Sequence, residues 1–572
     1  MKKTWSLDEF FKGGSTSKEL QKALKSWSAK LASLQKNLVA DEKCIQLWQE
    51  LSLQLQQVQS FVHCLRAQNV HDEDAGVLEA HVEELSSNLA VLSNELLELV
   101  SKESESQFKK LLVCQKSIAF SLEQNRKWHK AKLSVEKENL LEKLAPSGYH
   151  SWYQLYSSAA GQIRVLYKES ELSFAEVDNL LDHADRKVRK EVFHAWEKSC
   201  KDNEYLFCHT LNHLSGYRLK MYEARKWSVL QEACFHNNIQ EKSLSTMWSV
   251  VEDNKAPFVA FLKAKQKLLG VKKLSWYDQD ISCDSIDKKI TYKDAAGIIE
   301  RSFHACSPDM AKFSTNAIKN QWVDAENRRN KAPGGFCTPF PLSNQSRIFM
   351  TYADTFQNLL TLAHEIGHAY HSDVLFHKPY FAQNYPMTLA ETASTFAEHL
   401  VMNKMLDEAS AEDKRAILHN KADRSVTFFM NIHARFIFER QFYEQRKKGV
   451  LVASEICDMM QNAQRLAFCN MFEEYHPYFW ITKQHFHFSH MPFYNFPYTV
   501  GYLFSLALVA KAKNEPKTFA KRYVAFLEDS ASMSIEDVAK KHFQADLSKR
   551  TFWQTALDVA IDDINEFLNA ST

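Results

Sequence analysis

Glycine and proline are scarce in this sequence, which has 13 glycines and 12 prolines among 572 residues. Because these residues mark turns, their scarcity argues against a sheet-rich fold and favours long helices. An excess of one charge is also missing, since 71 Lys and Arg balance 70 Asp and Glu. We therefore expect neither a nucleic acid nor a membrane surface as a partner.

The sequence also lacks long hydrophobic runs and C-x-x-C motifs. The longest apolar run, around 500–512, has about half of the roughly 20 residues that span a bilayer. The first residues lack the apolar core of a signal peptide. Eleven scattered cysteines without a C-x-x-C motif suit free thiols in a reducing compartment. The sequence predicts a soluble cytoplasmic protein.

Three N-terminal segments carry apolar residues at spacings of three and four, which predicts amphipathic helices. Their stripes are Leu24, Trp27, Leu31, Leu34 and Leu38; Trp48, Leu51, Leu55, Val58 and Val62; and Leu78, Val82, Leu85, Leu89, Leu92 and Leu96. A partner-binding coiled coil and a bundle packed on itself both explain them, and their shortness favours the bundle. The polar stretch 69–76 predicts that the second and third helices are antiparallel neighbours.

One region, 332–353, is predicted to be extended. It contains Pro333, Pro339 and Pro341, which exclude a helix, and its segment 346–352 has the short apolar character of a strand.

The clearest chemical motif is T-L-A-H-E-I-G-H-A-Y-H at 361–371. Residues four apart share a helix face, so His364 and His368 can bind one zinc ion, whose hydrolytic sites also hold a water. Glu365 projects beside that ion, where a general base for the water belongs. Since H-E-x-x-H arises by chance in roughly one such chain in twenty, the motif alone is only suggestive.

The surroundings of this motif suggest a helix capped by Asp354, with the two histidines in its last turns. His371 lies almost two turns after His364, so we expect it to support the ligands or to lie at the surface.

A hydrolytic zinc needs a third protein ligand, and the next predicted helix offers Glu391 and Glu398. Each glutamate has a rival explanation. Thr388 and Glu391 fit a capping box, in which Glu391 would only bind a helix terminus, and Glu398 fits an ordinary solvated carboxylate. Spacing alone leaves both open.

A cluster of histidines and tyrosines lies near the C-terminus: His485, His487, His490, Tyr494, Tyr498 and Tyr502. Pro492 and Pro497 are predicted to prevent a regular helix there. An aromatic core segment, a separate metal site and a set of hydrogen-bond donors to an oxyanion all fit this composition.

The motifs at 329–371, 387–398 and 485–505, in this order, resemble oligoendopeptidase F, in the M3 family of zinc metallopeptidases related to thimet oligopeptidase. The stretch 261–280 also resembles the segment that precedes the zinc helix in that family. The resemblance runs from about residue 110 to the end. Together with the polar stretch 182–191, which indicates a boundary, it implies an N-terminal helical segment at 1–110, an oligoendopeptidase F-type N-terminal domain at 111–185 and a zinc metallopeptidase catalytic domain at 186–572.

The resemblance also implies roles for single residues. His364, His368 and Glu391 match the ligands of one zinc ion per chain, Glu365 matches the general base, and Glu398 falls outside the ligand set. The residues that resemble those facing the scissile carbonyl are His485, Tyr494 and Tyr498, with His487 and His490 matching less closely.

The implied fold is mainly α-helical, with two lobes around a deep substrate channel and a small β-sheet beside the zinc helix. The edge of that sheet pairs with substrate in the family, and 346–352 is the candidate edge. The implied activity is zinc-dependent endopeptidase cleavage of short oligopeptides, by a chain expected to be a monomer. A zinc aminopeptidase is an alternative, although its usual G-x-M-E-N segment is absent. A non-catalytic helical interaction protein is another.

Overall fold

The computed structural model describes residues 2–283, 286 and 288–570. It contains two compact units, each made of three chain segments. The first unit comprises Met1–Ala131, Asp287–Glu408 and Leu508–Gln544, and the second comprises Lys132–Ile286, Ala409–Ala507 and Ala545–Thr572. The domain boundaries predicted at residues 110 and 185 stay a prediction.

Helices dominate both units, as the scarcity of glycine and proline predicts. The α-helices are α1 (Lys18–Lys36), α2 (Glu42–Gln68), α3 (Glu73–Lys102), α4 (Glu105–Cys114), α5 (Ala119–Ala131), α6 (Val135–Ala145), α7 (Ser151–Gln162), α8 (Phe174–Leu181), α9 (Arg186–Asp202), α10 (Glu204–Arg225), α11 (Gln231–His236), α12 (Glu241–Asp253), α13 (Lys255–Leu268), α14 (Tyr292–Cys306), α15 (Pro308–Lys319), α16 (Phe356–Leu375), α17 (Met387–Glu408), α18 (Ala411–Val426), α19 (Ile432–Arg446), α20 (Ala453–Ala467), α21 (Phe479–Thr482), α22 (Phe496–Asn514), α23 (Pro516–Asp529), α24 (Ile535–Phe543) and α25 (Arg550–Ala570). Single π-helical turns lie at Pro146–His150 and Thr427–Asn431. Short 3-10 helices lie at Gly14–Thr16, Lys116–Ile118, Trp276–Asp278, Pro341–Ser343, Tyr380–Ala382 and Gln484–His487.

The N-terminal stripes pack on one another, so the bundle interpretation is confirmed. Most of their residues are buried in one core of the first unit, whereas Leu38 and Leu78 are only partly buried. Helices α2 and α3 are antiparallel, because the end of α2 meets the start of α3: Arg66 Nε lies 3.1 Å from Glu79 Oε2. Further along the pair, Trp48 Nε1 donates to Ser93 Oγ at 2.7 Å.

The predicted extended region forms most of a small sheet beside α16. Its strands are β3 (Val323–Asp324), β4 (Phe336–Phe340) and β5 (Gln345–Phe349), while β1 (Val165–Tyr167) and β2 (Ser170–Leu172) form a separate hairpin in the second unit. The strand order is β3-β5-β4, with β5 parallel to β3 and antiparallel to β4. The expectation that 346–352 forms the sheet edge is therefore wrong, because β5 is paired on both sides.

One proline near the C-terminus, Pro497, lies inside a helix. Helix α22 begins at Phe496, so Pro497 is its second residue. The first helical turn tolerates proline, because its N–H groups have no partner within the helix. The prediction that no regular helix forms there is therefore wrong for the residues from Phe496 onward.

Two observations concern the cysteines and the membrane. All eleven cysteines lie in the described part of the chain, and each carries a free thiol. No helix among the described residues is long and apolar enough to cross a membrane.

Candidate active site

The H-E-x-x-H motif lies in the middle of α16, in the first unit. The helix begins at Phe356 after Thr355, whose side chain accepts a hydrogen bond from Asn358 N. The predicted cap, Asp354, is one residue too early and has a φ of 57°. The prediction that the histidines lie in the last turns is also wrong, since α16 continues to Leu375.

Helix α17 lies unusually close to α16 because of a glycine inside the motif. A Cβ on Gly367 would lie 2.7 Å from Ala393 O and 2.7 Å from Ser394 Cα. Only glycine fits such an approach of two helix backbones. This contact brings the first turns of α17, which carry Glu391, alongside the histidines of α16.

Three side chains converge where the two helices approach. His364 Nε2 and His368 Nε2 are 3.2 Å apart. Glu391 Oε2 lies 3.4 Å from the first nitrogen and 3.6 Å from the second. Zinc bonds of about 2.0–2.1 Å in a tetrahedron would place neighbouring ligand atoms about 3.3 Å apart. The observed spacings therefore fit one tetrahedral ion, and these residues form the one such cluster among the described residues.

The electrostatics of the cluster favour a bound cation. Burial disfavours a charged His364, yet its hydrogen bond with Glu398 and the charges of Glu398, Glu391 and Glu365 raise its pKa to about 9. Burial also disfavours an ionised Glu391, but the two histidines and Ser394 lower its pKa to about 2. Both shifts mean that the site attracts positive charge, so the donor set fits a zinc ion.

Glu398 lies behind the cluster rather than in it. Its Oε1 is 2.7 Å from His364 Nδ1, and the side chain is buried. A carboxylate can only accept here, so it holds the proton on Nδ1 and points Nε2 toward the cluster. The alternative of Glu391 as a capping-box residue is wrong, because α17 begins at Met387 and Thr388 is already inside it.

Glu365 lies beside the cluster and next to the sheet. Its side chain is buried, and a Cβ on Gly335 would lie 3.7 Å from Glu365 Oε1. Burial raises the pKa of this carboxyl, and the charges of Glu391 and Glu398 raise it further. The two histidines lower it, but the net change is an increase. A less acidic carboxylate is a better proton acceptor near neutral pH.

His371 takes no part in the cluster. It is fully buried, its Nε2 lies 2.8 Å from Ser530 Oγ, and its ring stacks on Tyr385 with centroids 3.8 Å apart. The expectation of a surface position is therefore wrong. His371 instead joins α16 to Ser530, the residue that follows α23, in the core.

The second predicted cluster lies in the second unit, where its three histidines differ. His487 is fully buried, with Nε2 3.1 Å from Trp480 O, and its ring stacks on Tyr156. His490 is exposed. His485 is partly buried, and burial together with the charge of Arg435 lowers its pKa to about 4. Burial lowers the pKa of His490 as well, so His485 and His490 are both neutral and reachable, whereas His487 is enclosed.

The tyrosines of this segment lie near His485. The ring of Tyr494 is 4.9 Å from that of His485 and 6.2 Å from that of Tyr498, measured between centroids. Both tyrosines are partly exposed, and Tyr498 lies in the first turn of α22. The structure thus groups His485, Tyr494 and Tyr498 within the second unit.

Sequence reasoning missed several residues that shape these sites. Gly367 could have been found, because a glycine inside a helical pattern often marks a close helix contact. Asn495 and Arg435, which contact or neighbour His485, gave no such signal because they are far apart in the chain. Their roles follow only from the tertiary structure.

Known proteins are similar to this chain over most of its length. The model of Peptidase family M3 matches residues 179–559, two thirds of the chain, and an Oligopeptidase F model matches residues 95–164. An oligoendopeptidase F homologue from Lactococcus lactis is 23% identical over 427 residues, covering 72% of this chain and 70% of its own length. Oligopeptidase PepF of Bacillus subtilis is 24% identical over 382 residues, covering 65% of this chain and 56% of its own.

Solved structures share the same fold. A protein from Chlamydophila abortus superposes with a TM-score of 0.83 at 21% identity, covering 99% of this chain and 98% of its own. Oligoendopeptidase F from Enterococcus faecium gives a TM-score of 0.70 at 20% identity, covering 96% of this chain and 97% of its own. The mainly helical fold is thereby confirmed. By its match to the family model, the chain belongs to peptidase family M3 and is a metalloendopeptidase.

Proposed function

We propose that the chain is a zinc-dependent endopeptidase that cleaves internal bonds of short oligopeptides, with a water activated beside Glu365. The observation that carries this proposal is the convergence of His364 Nε2, His368 Nε2 and Glu391 Oε2 at tetrahedral spacing. The names of the relatives, oligoendopeptidases and oligopeptidases, support oligopeptides as the substrate class.

These three residues would hold the ion. Bound there, zinc would polarise the scissile carbonyl and lower the pKa of a water. Glu398 keeps the His364 ring oriented for this task through the hydrogen bond to Nδ1.

Glu365 would move the proton. Glu365 follows His364 directly in the chain, and burial raises the pKa of its carboxyl group. The carboxylate can therefore accept a proton from the water and deliver it to the leaving amine. Gly335 lies next to this carboxylate: a Cβ there would be 3.7 Å from Oε1, in ordinary contact, and 3.2 Å from Phe349 O. Because glycine has no side chain, it leaves this place open for a substrate backbone.

Strand β4 is the proposed edge for main-chain recognition of substrate. It is an outer strand of the described sheet, and its Pro339 suits an edge because proline has no N–H to pair. Ser60 of α2 donates a hydrogen bond to Pro339 O at 2.7 Å, so the C-terminal part of the strand already has a partner within the protein. The part from Gly335 to Cys337, next to Glu365, is then the candidate for pairing with a peptide.

His485, Tyr494 and Tyr498 are proposed to face the scissile carbonyl, as the family resemblance implies. A tyrosine hydroxyl can donate a hydrogen bond to an oxyanion, which makes Tyr498 the leading candidate for that task. Tyr494 is the candidate for orienting the substrate.

Two measurements test the proposal together. Elemental analysis of the purified chain should find about one zinc per chain, and His368→Ala should lose it because two protein ligands rarely hold a hydrolytic zinc. The wild-type enzyme should cleave an internally quenched peptide until a chelator is added. Full activity in excess chelator, or undiminished zinc in His368→Ala, would contradict the assignment.

A blocked N-terminus separates the two peptidase classes. An endopeptidase should cleave an N-acetylated quenched peptide at an internal bond, which mass spectrometry of the fragments would show. Release of single N-terminal residues from the free peptide, with no cleavage of the acetylated one, would indicate an aminopeptidase instead.

A further inference from the structure

A chain of hydrogen bonds in the second unit ends at His485. Arg435, on α19, donates from Nη1 to Asn495 Oδ1 at 2.8 Å. His485 Nδ1 lies 2.8 Å from the same oxygen. The guanidinium is itself held by Asn431 Oδ1, which accepts from Nε at 2.8 Å, and it lies over the ring of Phe479.

The direction of each hydrogen bond is fixed by the groups at the two ends of this chain. Asn431 Nδ2 donates to Gln279 Oε1 at 3.2 Å, and Gln279 Nε2 donates to Asp280 Oδ1 at 2.9 Å. A carboxylate near neutral pH only accepts, and the guanidinium of Arg435 only donates. Reversing the side-chain amide of Asn431 or of Gln279 would bring two donors or two acceptors together, so the orientation of both amides is fixed.

The same reasoning fixes the amide of Asn495. Turning it over would point Nδ2 at the donor-only Arg435, although Nδ2 is buried and has no hydrogen-bond partner among the described residues. Such an orphan donor is unfavourable in a folded protein, so a strong constraint must hold the amide in place. The constraint is the charged hydrogen bond from Arg435.

We infer that Arg435 and Asn495 are positioning residues that fix His485 with its proton on Nδ1 and a lone pair on Nε2. Because Asn495 offers an oxygen, Nδ1 must carry the proton, and a neutral imidazole then has only an acceptor at Nε2. His485 is therefore not a donor to the oxyanion. It accepts a hydrogen bond from a backbone N–H of the bound peptide, a role that rests on the proposed function.

Nuclear magnetic resonance of the zinc-loaded enzyme tests the tautomer directly. Histidine labelled with ¹⁵N would be observed in a long-range nitrogen–proton correlation spectrum at pH 7, and the loss of one signal set in His485→Phe would assign His485. We expect a protonated Nδ1 and an unprotonated Nε2. A protonated Nε2 would overturn the inference.

His487 provides an internal control two residues away. Its Nε2 faces Trp480 O at 3.1 Å, and a carbonyl only accepts, so Nε2 must carry the proton. The two histidines should thus show opposite tautomers in one spectrum. If both rings carry the proton on Nε2, the environment of His485 has not fixed its ring as inferred.

The substrate contact is tested by N-methylated peptides, which lose one N–H donor each. One position near the scissile bond should raise KM about tenfold when methylated in the wild-type enzyme, since one hydrogen bond contributes on this scale. The same methylation should have little effect in His485→Phe. If N-methylation changes KM equally in the wild type and in His485→Phe at every position, the acceptor role of His485 is overturned.

Two variants of Asn495 separate positioning from general stability. Asn495→Asp keeps an acceptor and should keep the proton on Nδ1, whereas Asn495→Leu should give mixed tautomers and a weaker response to N-methylation. Identical tautomers in Asn495→Leu and the wild type would overturn the role of Asn495. If the leucine variant does not fold, the wild-type spectrum still decides.

Failure of this inference differs from failure of the proposed function. An enzyme that cleaves quenched peptides while carrying a protonated His485 Nε2 would refute the inference alone. A chain with the expected tautomer but without chelator-sensitive cleavage would refute the proposed function and with it the substrate contact.

Discussion

Gly367 of α16 contacts Ala393 of α17 so closely that a Cβ would lie 2.7 Å from the Ala393 carbonyl oxygen. This contact joins the helix that carries both histidines to the helix that carries Glu391. The convergence of His364, His368 and Glu391 therefore depends on a residue that has no side chain of its own.

Gly367→Ala should weaken zinc binding. The added methyl group must push α17 away from α16, which typically costs about 1–3 kcal/mol and displaces Glu391 from the histidines. Gly161→Ala is the matched control, because a Cβ there meets no atom within 4 Å and helix propensity should make it neutral or slightly stabilising. Calorimetric zinc titration of both variants checks this, and equal affinities would contradict the packing argument.

Glu391→Ala should lower zinc affinity much more than Glu398→Ala. The first removes a proposed ligand, whereas the second removes the hydrogen bond to His364 Nδ1, a loss that typically costs about 10–100-fold in affinity or activity. Competition with a chromophoric chelator measures both. The reverse order would make Glu398 the ligand.

Glu365→Gln should keep zinc but lose nearly all turnover. The amide fills the same space without accepting or delivering a proton, so the loss should fall on kcat. Elemental analysis and cleavage of one quenched peptide measure the two effects, and His368→Ala serves as the variant that loses both. Survival of most activity in Glu365→Gln would mean that another group is the base.

Tyr498→Phe should lower kcat by about 10²–10³ while KM and zinc content change little, because an oxyanion donor acts mainly in the transition state. Tyr494→Phe is the companion variant and should alter KM as well. Steady-state kinetics, with circular dichroism as a check on folding, measures these effects. A Tyr498→Phe enzyme within about threefold of the wild-type kcat would exclude this hydroxyl as the oxyanion donor.

Glu439 should make the protein less stable as the pH rises. Burial raises its pKa to about 8 from the ordinary 4.5, although Phe493 N–H and two arginines oppose the shift. Since the folded state then keeps a proton that the unfolded state releases, this contribution to stability is present below about pH 4.5 and is lost as the pH rises through 8.

Thermal denaturation at pH 5.5 and 8 of the wild type and Glu439→Gln checks this contribution. The amide cannot ionise, and its oxygen can still accept from Phe493 N. The difference between the two midpoints should shrink in the variant by about 6–12 °C, since a pKa of about 8 instead of 4.5 changes the unfolding free energy by roughly 3 kcal/mol between these two pH values. An unchanged difference would show that Glu439 is ionised in the folded protein.

Local sequence patterns were enough to predict the helical class, the stripes of the N-terminal bundle and the position of the H-E-x-x-H pair. These features depend on local periodicity, which a helix converts directly into faces and spacings. Family resemblance then separated Glu391 from Glu398, which spacing could not do.

The way in which distant segments meet became visible in the folded chain alone. Strand β5 lies in the middle of its sheet rather than at the edge, because β3 pairs with it from a separate part of the chain. His371 faces Ser530 in the core, and Arg435 reaches Asn495 across 60 residues. These outcomes depend on long-range packing and on the pairing of buried polar groups, and no local pattern encodes which distant partner satisfies them.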